Sequence, residues 1–196
     1  METPRRTPIE VIESCRAGDQ GAFAEIVRLH QRRVYNLAYR MLGHAEEAKD
    51  LSQEVFISVY GAIRGLREQG KFEAWLTQIT LNHCRNRLKV LKRRHYYNTE
   101  SIDDPVETED GTMERPIVSP GDDPETLCER KMIQEFVQRG LLELREDQRE
   151  LIVLRDLQGY SYEMVSEVCG LPIGTVKSKL HRARMDLKAI LERAAH

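Results

Sequence analysis

The chain has 196 residues, with 30 Lys and Arg against 32 Asp and Glu, a formal charge of −2 and 32% charged residues. That suits one domain or two small ones with modest cores and excludes a large multidomain enzyme. The longest stretch without Asp, Glu, Lys or Arg, Ala74 to Cys84, is only 11 residues, against the ~18 or more apolar residues of a spanning helix, so no direct membrane insertion is expected.

Residues 1–8 hold an Arg pair with no uninterrupted apolar run behind it. They are expected to be a disordered N-terminus instead of a secretory signal, which points to the cytoplasm. Asp19 is a candidate N-cap, and Phe23, Ile26, Val27, Val34, Leu37, Ala38 and Met41 recur at helical spacing until Gly43, so one long amphipathic helix is predicted there. A second is predicted from about 45 to 63, with Ala48, Leu51, Val55, Val59 and Ile63 inward and Asp50, Gln53 and Glu54 on another face. A third spans about 72 to 94, apolar and uncharged first, strongly basic later. Further helical patterns lie near 125–143, 147–157, 161–168 and 172–193, and no segment alternates in a way that demands a strand. The expected fold class is all-α, with two small helical domains.

Charge is segregated along the chain. Arg85 to His95 holds six basic residues and no acidic one, Asn98 to Thr126 has a net charge of −9, and Leu171 to Lys188 one of +4. The acidic segment contains four of the seven prolines and no sustained apolar period, the composition of an extended, flexible linker. It separates two parts that together carry +7, so the overall acidity does not argue against a polyanion partner. Cys15, Cys84, Cys128 and Cys169 are widely spaced, with no C-x-x-C pair and no His pair beside them, so no metal site or other cofactor is expected.

Near the C-terminus, Ser161 can cap one short helix and Gly170 can end it, while Pro172 can open the next. This is the pattern of a helix-turn-helix. On the last helix Ile173, Val176, Leu180, Ala183, Leu187 and Ile190 form one predicted buried stripe. Lys177, Ser178, His181 and Arg182 then project from the opposite face, where a helix-turn-helix presents groups to base edges in the major groove. Lys179 and Arg184 are better placed for phosphates.

Three motifs together resemble one family. Ala48-Lys-Asp-Leu-Ser-Gln-Glu-Val-Phe56 is similar to its D-L-x-Q-E-x-F helix. Phe72-Glu-Ala-Trp-Leu-Thr-Gln-Ile-Thr-Leu-Asn82 is similar to its F-x-x-W-L-x-x-I-x-x-N segment, and Leu171 to Arg184 resembles its helix-turn-helix. The family is the extracytoplasmic-function (ECF) group of bacterial sigma factors. The resemblance implies sigma domain two over 9–97, an acidic linker over 98–124 and sigma domain four over 125–196. It implies binding to core RNA polymerase through Asp50, Gln53 and Glu54. The −10 element would be bound by Phe72, Asn82, Arg85, Arg87, Arg93 and Arg94, with Asn82 meeting an extruded base and residues 65–71 forming the rim of its pocket. The −35 element, of the GGAAC type, would be bound by Lys177, Ser178, Lys179, His181, Arg182 and Arg184. The implied partners are bacterial core polymerase, promoter DNA and an anti-sigma factor. Two departures stand out: Leu66 replaces a common aromatic in the pocket loop, and Arg145 stands where many relatives have proline, which predicts a looser turn there.

Gly65-Leu-Arg-Glu-Gln-Gly-Lys71 matches the start of a phosphate-binding loop, but Phe72 follows instead of Ser or Thr, and a predicted helix precedes it instead of a strand. No catalytic constellation emerges from the spacing, so no catalytic residue is assigned and an enzyme is not expected. The rival reading is a stand-alone helix-turn-helix transcriptional regulator, which has no use for the Asp50/Gln53/Glu54 helix or the segment from Phe72 to Asn82.

Overall fold

The computed structural model describes residues 7–99 and 124–195, without the side chains of 94–99 and 124–128. Among the described residues every regular element is helical: α1 (Ile9–Arg16), α2 (Gln20–Leu42), α3 (Ala45–Ala62), α4 (Phe72–Thr99), α5 (Pro124–Glu143), α6 (Glu146–Ile152), α7 (Tyr162–Cys169) and α8 (Ile173–Ala194). Two 3-10 turns, Ile63–Gly65 and Gln69–Lys71, join α3 to α4, and one π-helical turn, Val153–Leu157, extends α6. Residues 98–99 continue α4, and the rest of the predicted linker up to Asp123 lies outside the described residues.

Helices α1 to α4 form the first bundle. Asp19 caps α2, its carboxylate accepting from the backbone N–H of Gly21 at 2.7 Å, and Gly43 ends the helix at φ 83°. A left-handed terminus of this kind favours glycine. The residues expected inward, Ala48, Leu51, Val55 and Val59 of α3 and Ile63 in the 3-10 turn that follows it, are at most 1% exposed. Thr7, placed by its sequence position in a disordered tail, is instead buried, with its Oγ1 2.5 Å from His30 Nε2. Burial lowers the His30 pKa, so a neutral ring is favoured.

Helices α5 to α8 form the second bundle. Gly140 lets α5 and α8 approach: a Cβ there would sit 2.6 Å from Leu191 Cδ2. Arg149, 6% exposed, donates to the carbonyls of Leu141 (2.8 Å), Leu142 (2.7 Å) and Leu144 (3.2 Å). One cation thereby satisfies acceptors that the end of α5 leaves without intrahelical donors. The turn before α6 is closed instead of loose, because Arg145 adopts φ −59°, the value proline would impose, and its carbonyl accepts from Arg149 N at 2.9 Å. In the α8 stripe Val176, Leu180 and Ala183 are buried, but Ile173 in the first turn is 38% exposed, a correction to the predicted stripe.

Candidate functional site

The helix-turn-helix is built as its residues suggest. Ser161 Oγ accepts from Met164 N at 3.1 Å to start α7, Gly170 ends it at φ 64°, and Ser166 donates to Leu171 O at 2.5 Å across the turn. Burial of Val176, Leu180 and Ala183 against the bundle turns the other side of α8 outward. Lys177, Ser178, His181 and Arg182 are all exposed there, at positions i, i+1, i+4 and i+5. Ser178 donates to Thr175 O at 3.0 Å, which leaves its oxygen open as an acceptor. The flanking cations are engaged within the same bundle. Lys179 Nζ lies 3.3 Å from Asp147 Oδ2, and Arg184 makes two hydrogen bonds to Asp156, at 2.9 and 2.5 Å. Those bonds raise the Arg184 pKa further above its ordinary value.

On α3, Asp50 and Gln53 are exposed. Ile57 (72%) and Tyr60 (48%) continue the same side at i+7 and i+10 from Asp50. This apolar extension was missed in the sequence, where the two residues looked like ordinary members of an amphipathic helix. Glu54 differs from its neighbours: Arg87 donates to it through Nη2 at 2.7 Å and pairs with Glu47 through Nη1. The structure thus ties a residue expected to face polymerase to one expected to face DNA.

On α4, Asn82 is exposed and its Oδ1 accepts from Arg85 Nη1 at 3.1 Å, which leaves the amide N–H groups outward. Arg93 is exposed, while the Arg94 side chain lies outside the described residues. Phe72 requires correction as a DNA contact. It is 1% exposed and its ring packs against His30 and Trp75, centroids 5.5 and 5.9 Å apart, so it belongs to the core. Leu66 also points inward, at 7% exposure. The phosphate-loop lookalike forms two 3-10 turns after a helix, and Lys71 pairs with Glu68 at 2.8 Å.

Among the described residues no group of His, Cys, Asp and Glu could hold an ion. Burial pushes the Cys84 thiol up to about 12 and Cys169 to about 11, which disfavours the reactive thiolate. Cys128 lies outside the described side chains. No described helix is long and apolar enough to cross a membrane.

Two helical bundles, one ending in a basic helix and the other in a helix-turn-helix, define a class of two-part DNA-binding protein. Comparison narrows it. The profile for Sigma-70 region 2 matches residues 26–94, and that for Sigma-70, region 4 matches residues 137–187. The ECF RNA polymerase sigma factor SigW of Bacillus subtilis is 35% identical over 177 residues, covering 90% of this chain and 92% of the relative. RNA polymerase sigma-H factor of Pseudomonas aeruginosa is 32% identical, covering 93% of both. The chain belongs to the ECF sigma factors. In fold it is similar to the sigma factor RpoE of Bartonella quintana, solved with the anti-sigma factor NepR, at TM-score 0.65 and 23% identity, covering 87% of this chain and 96% of that one. It is also similar to CnrH, solved with the cytosolic domain of CnrY, at TM-score 0.64 and 21% identity, covering 94% and 97%.

Proposed function

We propose that this chain is a cytoplasmic sigma factor that divides its work between two surfaces, with nucleotide addition left to the polymerase. Residues 9–97 act as domain two. Asp50, Gln53, Ile57 and Tyr60 dock on core polymerase, an apolar patch with acidic neighbours meeting a basic partner surface. Asn82 captures an extruded −10 base on its amide edge, and Arg85 and Arg93 hold phosphates. Arg87 organises α3 against α4 through Glu47 and Glu54. Residues 125–196 act as domain four, with Lys177, Ser178, His181 and Arg182 reading the −35 element. An anti-sigma factor is the regulator that the family resemblance implies.

The observation that carries this reading is the exposed Lys177, Ser178, His181 and Arg182 face on the second helix of a capped helix-turn-helix. Run-off transcription with purified bacterial core polymerase on a supercoiled promoter library tests it. Discrete start sites that depend on the protein are expected. Their absence, with no complex between protein and core on gel filtration, would favour a stand-alone regulator. Asp50→Arg is expected to weaken core binding at least tenfold while leaving the helicity of the chain unchanged, measured by fluorescence anisotropy and circular dichroism.

A further inference from the structure

A single aromatic ring connects the outward face of α8 to the helix before it. Tyr162, the first residue of α7 behind its Ser161 cap, is half-buried, with its ring packed on the core of the bundle. Two cations lie over that ring: the Arg155 guanidinium carbon is 4.6 Å from its centroid and Lys177 Nζ is 5.5 Å from it. Arg155 is itself fixed, because it donates to Tyr160 O at 2.6 Å from the π-helical turn. Arg184 lies beside the Tyr162 hydroxyl while its guanidinium stays on both oxygens of Asp156. Glu163 completes the cluster. Its carboxyl is held below its ordinary pKa by its own backbone N–H and the Ser161 hydroxyl, and further by the nearby charges of Lys177 and Arg155.

The outward residues of α8 are therefore not alike. Among the described residues His181 and Arg182 make no ion pair, hydrogen bond or ring contact, and Ser178 bonds only within its own helix. Lys177 is the one whose charged end is held by another element. A cation within about 6 Å of an aromatic centroid is attracted by the ring quadrupole, an attraction that an aliphatic side chain of similar bulk does not supply. An untethered lysine is a flexible point charge that satisfies a phosphate as readily as a base. A lysine restricted before DNA arrives loses less freedom when its ammonium meets the N7 and O6 acceptors of a guanine.

We propose that Tyr162 is a positioning residue for −35 recognition: its ring holds the Lys177 ammonium toward one base pair and so sets the discrimination made there, without itself touching a base. Glu163 offsets the repulsion between Arg155 and Lys177, which share the ring. Tyr162 belongs to α7 and not to the helix that presents the reading face, so the pattern of outward residues on α8 does not reveal it. Its role rests on the assignment of Lys177 to the −35 element.

The test uses the full chain in complex with bacterial core polymerase, with Tyr162→Leu, Tyr162→Phe, Lys177→Ala and the double variant Tyr162→Leu/Lys177→Ala. Tyr162→Met replaces Tyr162→Leu should circular dichroism show that the latter loses helicity. Fluorescence anisotropy gives the affinity for duplexes carrying the −35 element and each of its single base-pair substitutions, across a salt series. Tyr162→Leu is expected to lose about two- to fivefold of discrimination at one base pair, the same one at which Lys177→Ala loses it, with the other preferences and the salt slope unchanged. Tyr162→Phe keeps the ring and is expected to match wild type. In the Lys177→Ala background the Tyr162→Leu change should add nothing. A loss spread evenly over all base pairs, with a shallower salt slope, overturns the role by marking Tyr162 as a phosphate contact. An undiminished loss in the Lys177→Ala background overturns it as well. A wild-type complex with no −35 preference would refute the −35 reading itself, whereas a wild-type preference that Tyr162→Leu leaves intact refutes the positioning role alone.

Discussion

At the scale of the residue, Arg182 and Arg184 show how burial and pairing divide two similar side chains into different roles. Arg182 is exposed on the outward face of α8, while Arg184 is held by both oxygens of Asp156. Arg182→Ala is therefore expected to cost about 1–3 kcal/mol of promoter discrimination, measured as the affinity difference between a cognate and a scrambled −35 element. Equal loss on both sequences would assign Arg182 to phosphate instead of bases. His30 offers a second prediction. It is 1% exposed, beside Thr7, Glu73 and Arg33, and burial lowers its pKa from the usual 6.5. A base whose pKa is lowered on folding binds protons more readily when unfolded, so its stabilising effect is full above about pH 6.5 and declines as pH falls below it. The melting temperature should drop over that range, and His30→Gln should flatten the drop, as read by calorimetry across a pH series.

At the scale of the element, periodicity proved the strongest signal because it reports a local property. The inward set of α3 and both caps of α2 were legible since each depends only on residues within a few turns. Two errors have one cause. Phe72 carried a motif role yet sits in the core, and Ile173 fitted a buried stripe yet is exposed, because which neighbour covers a helix end is decided by tertiary packing. Glycine at 140 is a similar case, legible only once α8 is seen against α5. Gly140→Ala puts a methyl 2.6 Å from Leu191 and 3.3 Å from Leu187. The better helix propensity of alanine is expected to be outweighed by this overlap, with a net destabilisation of about 1–2 kcal/mol by urea denaturation. A stabilised variant would show that the Leu191 side chain moves aside freely.

At the scale of the whole molecule, the ion pair between Arg85 of α4 and Glu150 of α6 was invisible in the sequence because the two are 65 positions apart and each looks like an ordinary surface charge. Charge segregation, by contrast, was fully legible, and it makes its own demand on the assembled protein. The acidic segment brings a chain whose remaining parts carry +7 down to −2. Replacing its seven acidic residues from Glu100 to Glu114 with their amides would shift the net charge to +5. Long-range attraction to DNA depends on this summed field and is screened over about 8 Å at physiological ionic strength. Binding of the free chain to random-sequence duplex is therefore expected to tighten severalfold at low salt and to converge with wild type as salt rises. Tightening that persists at high salt would point instead to direct contacts uncovered by the substitution, and the salt titration separates the two in one experiment.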